Sequence, residues 1–303
     1  MKSYRAAVAS QPAYGLGEGL FWDSARGRVL WVDVNAGAVH TGALVDDYIV
    51  AGQGVSFAGT VGAVVPSVRG ELLVAGSKAL HSVAIDGTVT TGPLLLPADK
   101  ASRLNDGACD PAGRFLVGSL PLPGGRPNEE SLLRLEATGT VTLIDDDLNL
   151  SNGLAWSPDG RTFYSIDTIP GVVWARSYDP ETGHCGTREP FLKMTSGFPD
   201  GMCVDRAGNL WVAVWSGGEV RSYSPTGEQL AAVEVAAPNV TSVAFVGADL
   251  DVLLITTAFE ELTPSQHAQY PDSGRLFTCR VGATGTPVTL WAGYPVMHVS
   301  PTR

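Results

Sequence analysis

Short apolar runs punctuated by Gly, Asp, Asn and Pro fill nearly the whole chain, and they fall into a sentence that repeats. Its fullest form is PDGMCVDRAGNLWVAVW from Pro199: a strand opening on Asp200, a turn at Arg206-Ala207-Gly208-Asn209, and a returning strand of alternating bulky residues. The same order recurs as GEGLFWDSARGRVLWVD from Gly17, VGAVVPSVRGELLVAG from Val61, NDGACDPAGRFLVGS from Asn105 and SNGLAWSPDGRTFYSID from Ser151. A looser copy, TSVAFVGADLDVLLITT, begins at Thr241. Starts spaced by roughly 40 to 50 residues match the four-strand unit of a propeller blade.

In each unit the first strand carries short apolar residues and the second, as in LWVAVW or VLWVDV, alternates, which predicts one face packed on the next blade. Third strands follow (AVHTGAL, ALHSVAI, SLLRLEA, VVWARSYD, EVRSYSP, RLFTCRV), then turns such as IDGT, ATGT, DPETG or SPTGE and a more variable outer strand. A parallel α/β fold needs helices of roughly ten or more residues between strands, and these gaps hold only turns. The pattern therefore predicts an all-β chain, a single six-bladed β-propeller domain over residues 1–303 with a metal site in its central channel. Ring closure is expected from residues 6–16 pairing with TLWAGYP (289–295) in one composite blade. Two stretches depart from the repeat, 120–131 and 257–274, and loops of that length either shape a site or decorate a surface.

Composition narrows the partners. At 303 residues and 44% hydrophobic the chain can bury a sizeable core. A formal charge of −11 argues against a partner held by phosphate neutralisation, so nucleic acid is not expected, and it mildly favours a cation. The first residues lack an uninterrupted apolar core of signal-peptide length, and no stretch approaches a membrane span. Cys109, Cys185, Cys203 and Cys279 lie far apart, as isolated thiols in a reducing compartment do, so a cytoplasmic protein without a membrane partner is expected. Cys109 and Cys203 stand at matching places just after a strand's first glycine, where a small apolar side chain suits a crowded axis.

The candidate chemistry lies in register. Aligned on the glycine of each first strand, the preceding residues are Glu18, Val61, Asp106, Asn152 and Asp200, with Thr241 in the copy that lacks the glycine and Asn105 one position from Asp106. First strands are innermost in a propeller, so these distant residues converge on one channel. An all-oxygen ring of carboxylates and amides suits a hard divalent cation: Ca²⁺ first, with Mg²⁺, Mn²⁺, Zn²⁺ or Fe²⁺ as alternatives. The competing reading is that Asx residues before glycine only form turns. Asp86-Gly87 and Asp159-Gly160, between strands, are read in that structural way. Nucleophilic alternatives fare poorly: no Gly-x-Ser-x-Gly elbow precedes a helical pattern, and His40, His81, His184 and His267 do not sit at the mouth register, while His298 is assigned a surface role.

GEGLFWD around Glu18, RLNDG from Arg103, SNGLAWSPDG from Ser151 and PDGMCVDRAGNLWVA from Pro199 together resemble the SMP-30/gluconolactonase/luciferin-regenerating-enzyme family of six-bladed propellers, from about residue 14 through the last blade. The resemblance implies a divalent-metal-dependent lactonase opening the ring ester of a sugar lactone. It puts the metal ligands on Glu18, Asn152 and Asp200, the substrate contacts on Arg103 and Asn105, and the general base on Asp200. Where animal members carry Met-Ala-Glu-Glu, this chain reads Ser119-Leu120-Pro121, so a substrate contact is either missing or supplied by the 120–131 insertion through Arg126, Glu129 or Glu130, and Ser119 is taken as substrate-binding. Two other readings stay open: a phosphoester or phosphofluoridate hydrolase on the same scaffold, and a non-catalytic calcium-binding regulatory protein. Arg103 beside Asn105 favours a polyhydroxylated substrate over both, since a purely structural ion needs no neighbouring guanidinium.

Overall fold

The computed structural model describes residues 1–293. Six antiparallel meanders follow one another along the chain and form a six-bladed β-propeller. The innermost strands, blade by blade, are Gly17–Asp23, Val61–Pro66, Ser102–Cys109, Ser151–Trp156, Phe198–Val204 and Asn239–Val246. Each touches the next, and the sixth touches the first.

The turns that end the innermost strands show why the repeated sentence folds this way. In blades three and five the strand-ending aspartate accepts the turn's own N–H groups: Asp110 Oδ1 from Ala112 and Arg114, both at 2.9 Å, and Asp205 Oδ1 from Ala207 and Asn209, both at 2.9 Å. The glycine that follows takes a left-handed conformation, φ 79° at Gly113 and 85° at Gly208, which a side chain would resist. The looser sixth copy makes the turn with a non-glycine, Leu250, at φ 54°.

Burial departs from the expected alternation. The second strands Leu72–Gly76 and Val252–Ala258 are buried at every position, and Leu210–Trp215 at all but its last. Each blade is sandwiched between two others, so both faces of its central strands meet protein, and the core lies between blades. Trp31, Phe115, Phe163 and Phe277 are fully enclosed there. Burying a phenylalanine contributes roughly 1.5–3 kcal/mol.

Closure agrees with the expectation at one end only. Ala7 and Val8 pair with Thr278 and Phe277, so the N-terminal segment supplies the outer strand of the sixth blade. TLWAGYP does not join them. Trp291 bridges Ser67 of blade two, and Ala292 donates to Gly113 O of blade three at 3.0 Å. The Trp291 side chain, 4% exposed, packs into the core between blades one, two and three, a burial that an outer strand would not provide. The last two residues of that motif, and His298, lie outside the described residues.

Candidate metal and active site in the central channel

All six innermost strands carry a register shift at the same level: between Glu18 and Phe21, Val61 and Ala63, Leu104 and Gly107, Asn152 and Leu154, Pro199 and Met202, and Val240 and Val243. A bulge of this kind bends the strand and re-aims the side chain beside it. The recurrent glycine is part of the same device. A Cβ built on Gly153 would fall 2.6 Å from the Asp200 carbonyl oxygen, and one on Gly201 would fall 2.8 Å from the Ser242 Cα. The bulges of blades four and five therefore nest against the backbone of the next blade. The glycine after Asn152 or Asp200 answers to close approach and not to a turn.

A chain of hydrogen bonds crosses three blades at this level. Arg103 Nη1 donates to Asn105 Oδ1 (2.8 Å), Asn105 Nδ2 to Asn152 Oδ1 (2.7 Å) and to Ser151 O (3.0 Å), Asn152 Nδ2 to Thr168 Oγ1 (2.9 Å), and Thr168 Oγ1 to Pro199 O (2.8 Å). Because Thr168 spends its proton on the Pro199 carbonyl, it can only accept from Asn152. That fixes the Asn152 amide with its nitrogen to Thr168 and its oxygen on the Asn105 side. Both N–H groups of Asn105 are committed, so its remaining capacity is one lone pair on Oδ1.

Beside this chain stand three carboxyl groups. Asp200 is 5% exposed and its Oδ1 is buried with no donor. Glu18 and Asp200 interact directly. Burial first, and then the charge of Asp106, pushes Glu18 up to about 8. Burial and the charges of Glu18 and Asp106 hold Asp200 well above the usual carboxylate range. Burial raises Asp106 to about 6. Arg103, brought down to about 10 by burial against the pull of Glu18, Asp200 and Glu260, stays charged at neutral pH. One guanidinium among three crowded carboxyls leaves an uncompensated negative charge, which is costly to bury. Among the described residues no three His, Cys, Asp or Glu side chains form a metal cage by themselves. A set that includes the Asn152 amide oxygen fits a hard divalent cation: its donors are all oxygen, one is orphaned, and the charge deficit has the right sign. Below Asp106, Gly19 and Ser242 the channel widens into a cavity of about 300 Å³ lined by Cys109, Met202 and Phe245 among others. Cys109 and Cys203 are both free, and burial raises their thiols, in keeping with filler at the axis.

Of the residues singled out from sequence, Glu18, Arg103, Asn105, Asp106, Asn152 and Asp200 come together, while Ser119 does not. Ser119 is fully buried, donates its hydroxyl to Glu130 and accepts from Ser131 N at 2.9 Å. Glu130, also fully buried, takes a second bond from Ser102 Oγ at 2.6 Å. A buried carboxylate needs donors, and Ser119 is consumed in supplying one, so we withdraw it as a substrate contact. Arg126 and Glu129 form an exposed pair, with side chains 78% and 50% accessible. Thr241, the sixth member of the ring, donates its hydroxyl to Gly17 O and is hydrogen-bonded to Thr256 Oγ1 as well. Sequence reasoning missed Thr168 and Glu260. Thr168 had a usable signal, following directly on the second strand of the blade that bears Asn152; Glu260 sits in the irregular 257–274 insertion and repeats nothing.

The family described as SMP-30/Gluconolactonase/LRE-like region matches residues 16–259. The chain belongs to this family. Within it, the pentonolactonase XacC of Haloferax volcanii is 35% identical, covering 90% of this chain and 93% of its own length. A 6-deoxy-6-sulfogluconolactonase of Pseudomonas putida is likewise 35% identical, over 94% of this chain and 98% of its own. Among solved structures, a calcium-binding protein, regucalcin, from Agrobacterium tumefaciens superposes with a TM-score of 0.89 at 26% identity, covering 96% of this chain and 99% of that one. The four motifs quoted from the sequence fall in the span shared with the family.

Proposed function

We propose that the protein is a divalent-cation-dependent hydrolase that opens the ring ester of a sugar lactone, with Ca²⁺ the first choice of ion. The observation that carries this reading is the orphaned, buried Asp200 carboxyl meeting Glu18 beside an oriented Asn152 amide, with Arg103 and Asn105 next to them. Relatives named for pentonolactone and sulfogluconolactone hydrolysis support the substrate class.

In this mechanism Glu18, Asn152 and Asp200 would hold the ion. When bound, the cation supplies Lewis acidity at the lactone carbonyl. Arg103 adds positive potential beside the developing oxyanion and, with Asn105 Oδ1, orients the sugar hydroxyls. Asp200 accepts the proton of the attacking water. Having two oxygens, the Asp200 carboxyl can serve both as a ligand and as the group that takes the proton.

The test is a panel of aldonolactones and phosphoesters assayed with and without chelator. Lactone turnover that chelation abolishes and Ca²⁺ restores is expected. Turnover of phosphoesters alone, or a folded, cation-bound protein inert to both classes, would replace the proposal.

A further inference from the structure

Glu260 is held where an acid has a consequence for substrate choice. It lies just beyond the sixth blade's second strand, Val252–Ala258, on the face where the innermost strands begin. Its N–H donates to Gly15 O (3.1 Å), its carbonyl accepts from Asn239 Nδ2 (3.2 Å), and its carboxylate takes the side-chain amide of Asn35 from blade one. A Cβ on Gly15 would meet Glu260 Oε1 at 2.6 Å, so the glycine leaves room for the carboxylate. Directly after it the chain turns at Glu261, a non-glycine at φ 62°, a conformation such a residue keeps only where its neighbours hold it. Clamped between two blades, the charge bears on Arg103 together with those of Glu18 and Asp200. Three carboxylates thus bear on one guanidinium, and Asp106, whose charge bears on Glu18 and Asp200, makes four in the site. A divalent cation still leaves one negative charge over, and Glu260 alone of the four stands on a loop and not on an innermost strand.

We propose that Glu260 is a specificity residue, a fixed carboxylate at the channel mouth that makes the site favour neutral lactones over anionic lactones of the same ring. The proposal rests on the lactonase reading above. Coulomb repulsion across roughly 8 Å at an effective dielectric of about 20 to 80 corresponds to roughly twofold to thirtyfold in relative kcat/KM.

The experiment compares an aldonolactone with the lactone of the corresponding aldaric acid, which carries one carboxylate, in the wild type, Glu260→Gln, Glu260→Asp and Asn35→Lys. Glu260→Gln keeps an acceptor for the Asn35 amide and removes the charge, and Asn35→Lys neutralises the same charge from the other side. Both are expected to raise the aldaric-to-aldonic ratio of kcat/KM by that factor, with the gain shrinking between about 0.05 and 0.5 M salt, while Glu260→Asp keeps the wild-type ratio. A ratio unchanged in both neutralising variants, or a gain indifferent to salt, overturns this inference while leaving the lactonase reading standing. Absence of any lactone turnover in the wild type overturns both.

Discussion

Replacing Thr168 by valine tests whether a hydroxyl outside the ion's reach sets the ligand geometry. The substitution keeps the side chain's shape at a position 7% exposed and deletes two hydrogen bonds, the one accepted from Asn152 Nδ2 at 2.9 Å and the one donated to Pro199 O at 2.8 Å. Each buried group left without a partner costs about 1–3 kcal/mol, and because both depend on one hydroxyl the losses couple, so roughly 2–4 kcal/mol of stability is expected to go. The second effect is specific to the site. Without Thr168 the Asn152 amide can rotate and offer nitrogen where it now offers oxygen, and losing such an outer partner typically weakens metal affinity about tenfold to a hundredfold. Urea unfolding in chelator reads the first quantity, and calorimetric titration with Ca²⁺ reads the second. Thr168→Ser, which restores the hydroxyl, should recover both. A Thr168→Val protein that loses stability as calculated yet binds Ca²⁺ with wild-type affinity would show that the amide is not a ligand oriented by Thr168, and the argument for Asn152 would fall with it.

Further outcomes follow from the same geometry. Asp200→Asn should lower kcat by about a hundredfold or more with the fold intact by circular dichroism, and retained turnover removes Asp200 from the mechanism. Arg103→Ala should raise KM for sugar lactones by about tenfold with a smaller change in kcat, and an unchanged KM refutes the assigned contact. Gly153→Ala drives a Cβ to 2.6 Å from both the Asp200 carbonyl oxygen and Ile166 Cδ1, so a loss of about 1–3 kcal/mol in urea unfolding is expected together with reduced turnover; a variant of full stability contradicts the close approach. In the cation-free protein Glu18 at about 8 and Asp106 at about 6 lie above their ordinary values, so the folded chain retains protons that the unfolded chain has released. Their contribution to stability is full below about pH 4 and is lost as the pH rises toward 8, and a saturating divalent cation should flatten that slope. Melting temperatures across this window, with chelator and with Ca²⁺, decide it, and a chelated protein that grows more stable with rising pH would count against the electrostatic picture.

The fold was legible because each blade signs itself locally. At Asp110-Gly113 and Asp205-Gly208 an Asp binds its own turn and a glycine follows at positive φ, as the letters predict; in blade two Ser67 takes the part of the Asp, and blade six turns at Leu250. The register that brings Glu18, Asn152 and Asp200 together was legible for a related reason: each precedes a glycine. The cause of that glycine was not legible, since a residue that lets neighbouring backbones approach is written identically to one that makes a turn. Ser119 misled because position along a strand does not reveal which neighbour claims a side chain; the buried carboxylate of Glu130 arrives from an insertion with no counterpart in the repeat.

The same contrast explains how one backbone device can carry a site on only part of its ring. All six blades have the bulge, yet Val61 in blade two offers no donor atom and is fully buried, and Thr241 in blade six spends its hydroxyl on Gly17 O and Thr256. The oxygen donors are therefore confined to blades one, three, four and five, with Arg103 and Asn105 on blade three tied to blade four through Asn152. Blade six contributes at the mouth instead, by its loop and Glu260, where the carboxylate reaches across to blade one. On the proposed reading, affinity for an ion belongs to the bulges, and discrimination against a charged substrate to the loop above them. If the proposal holds, a substitution at Glu260 will alter which lactone is preferred without moving a ligand.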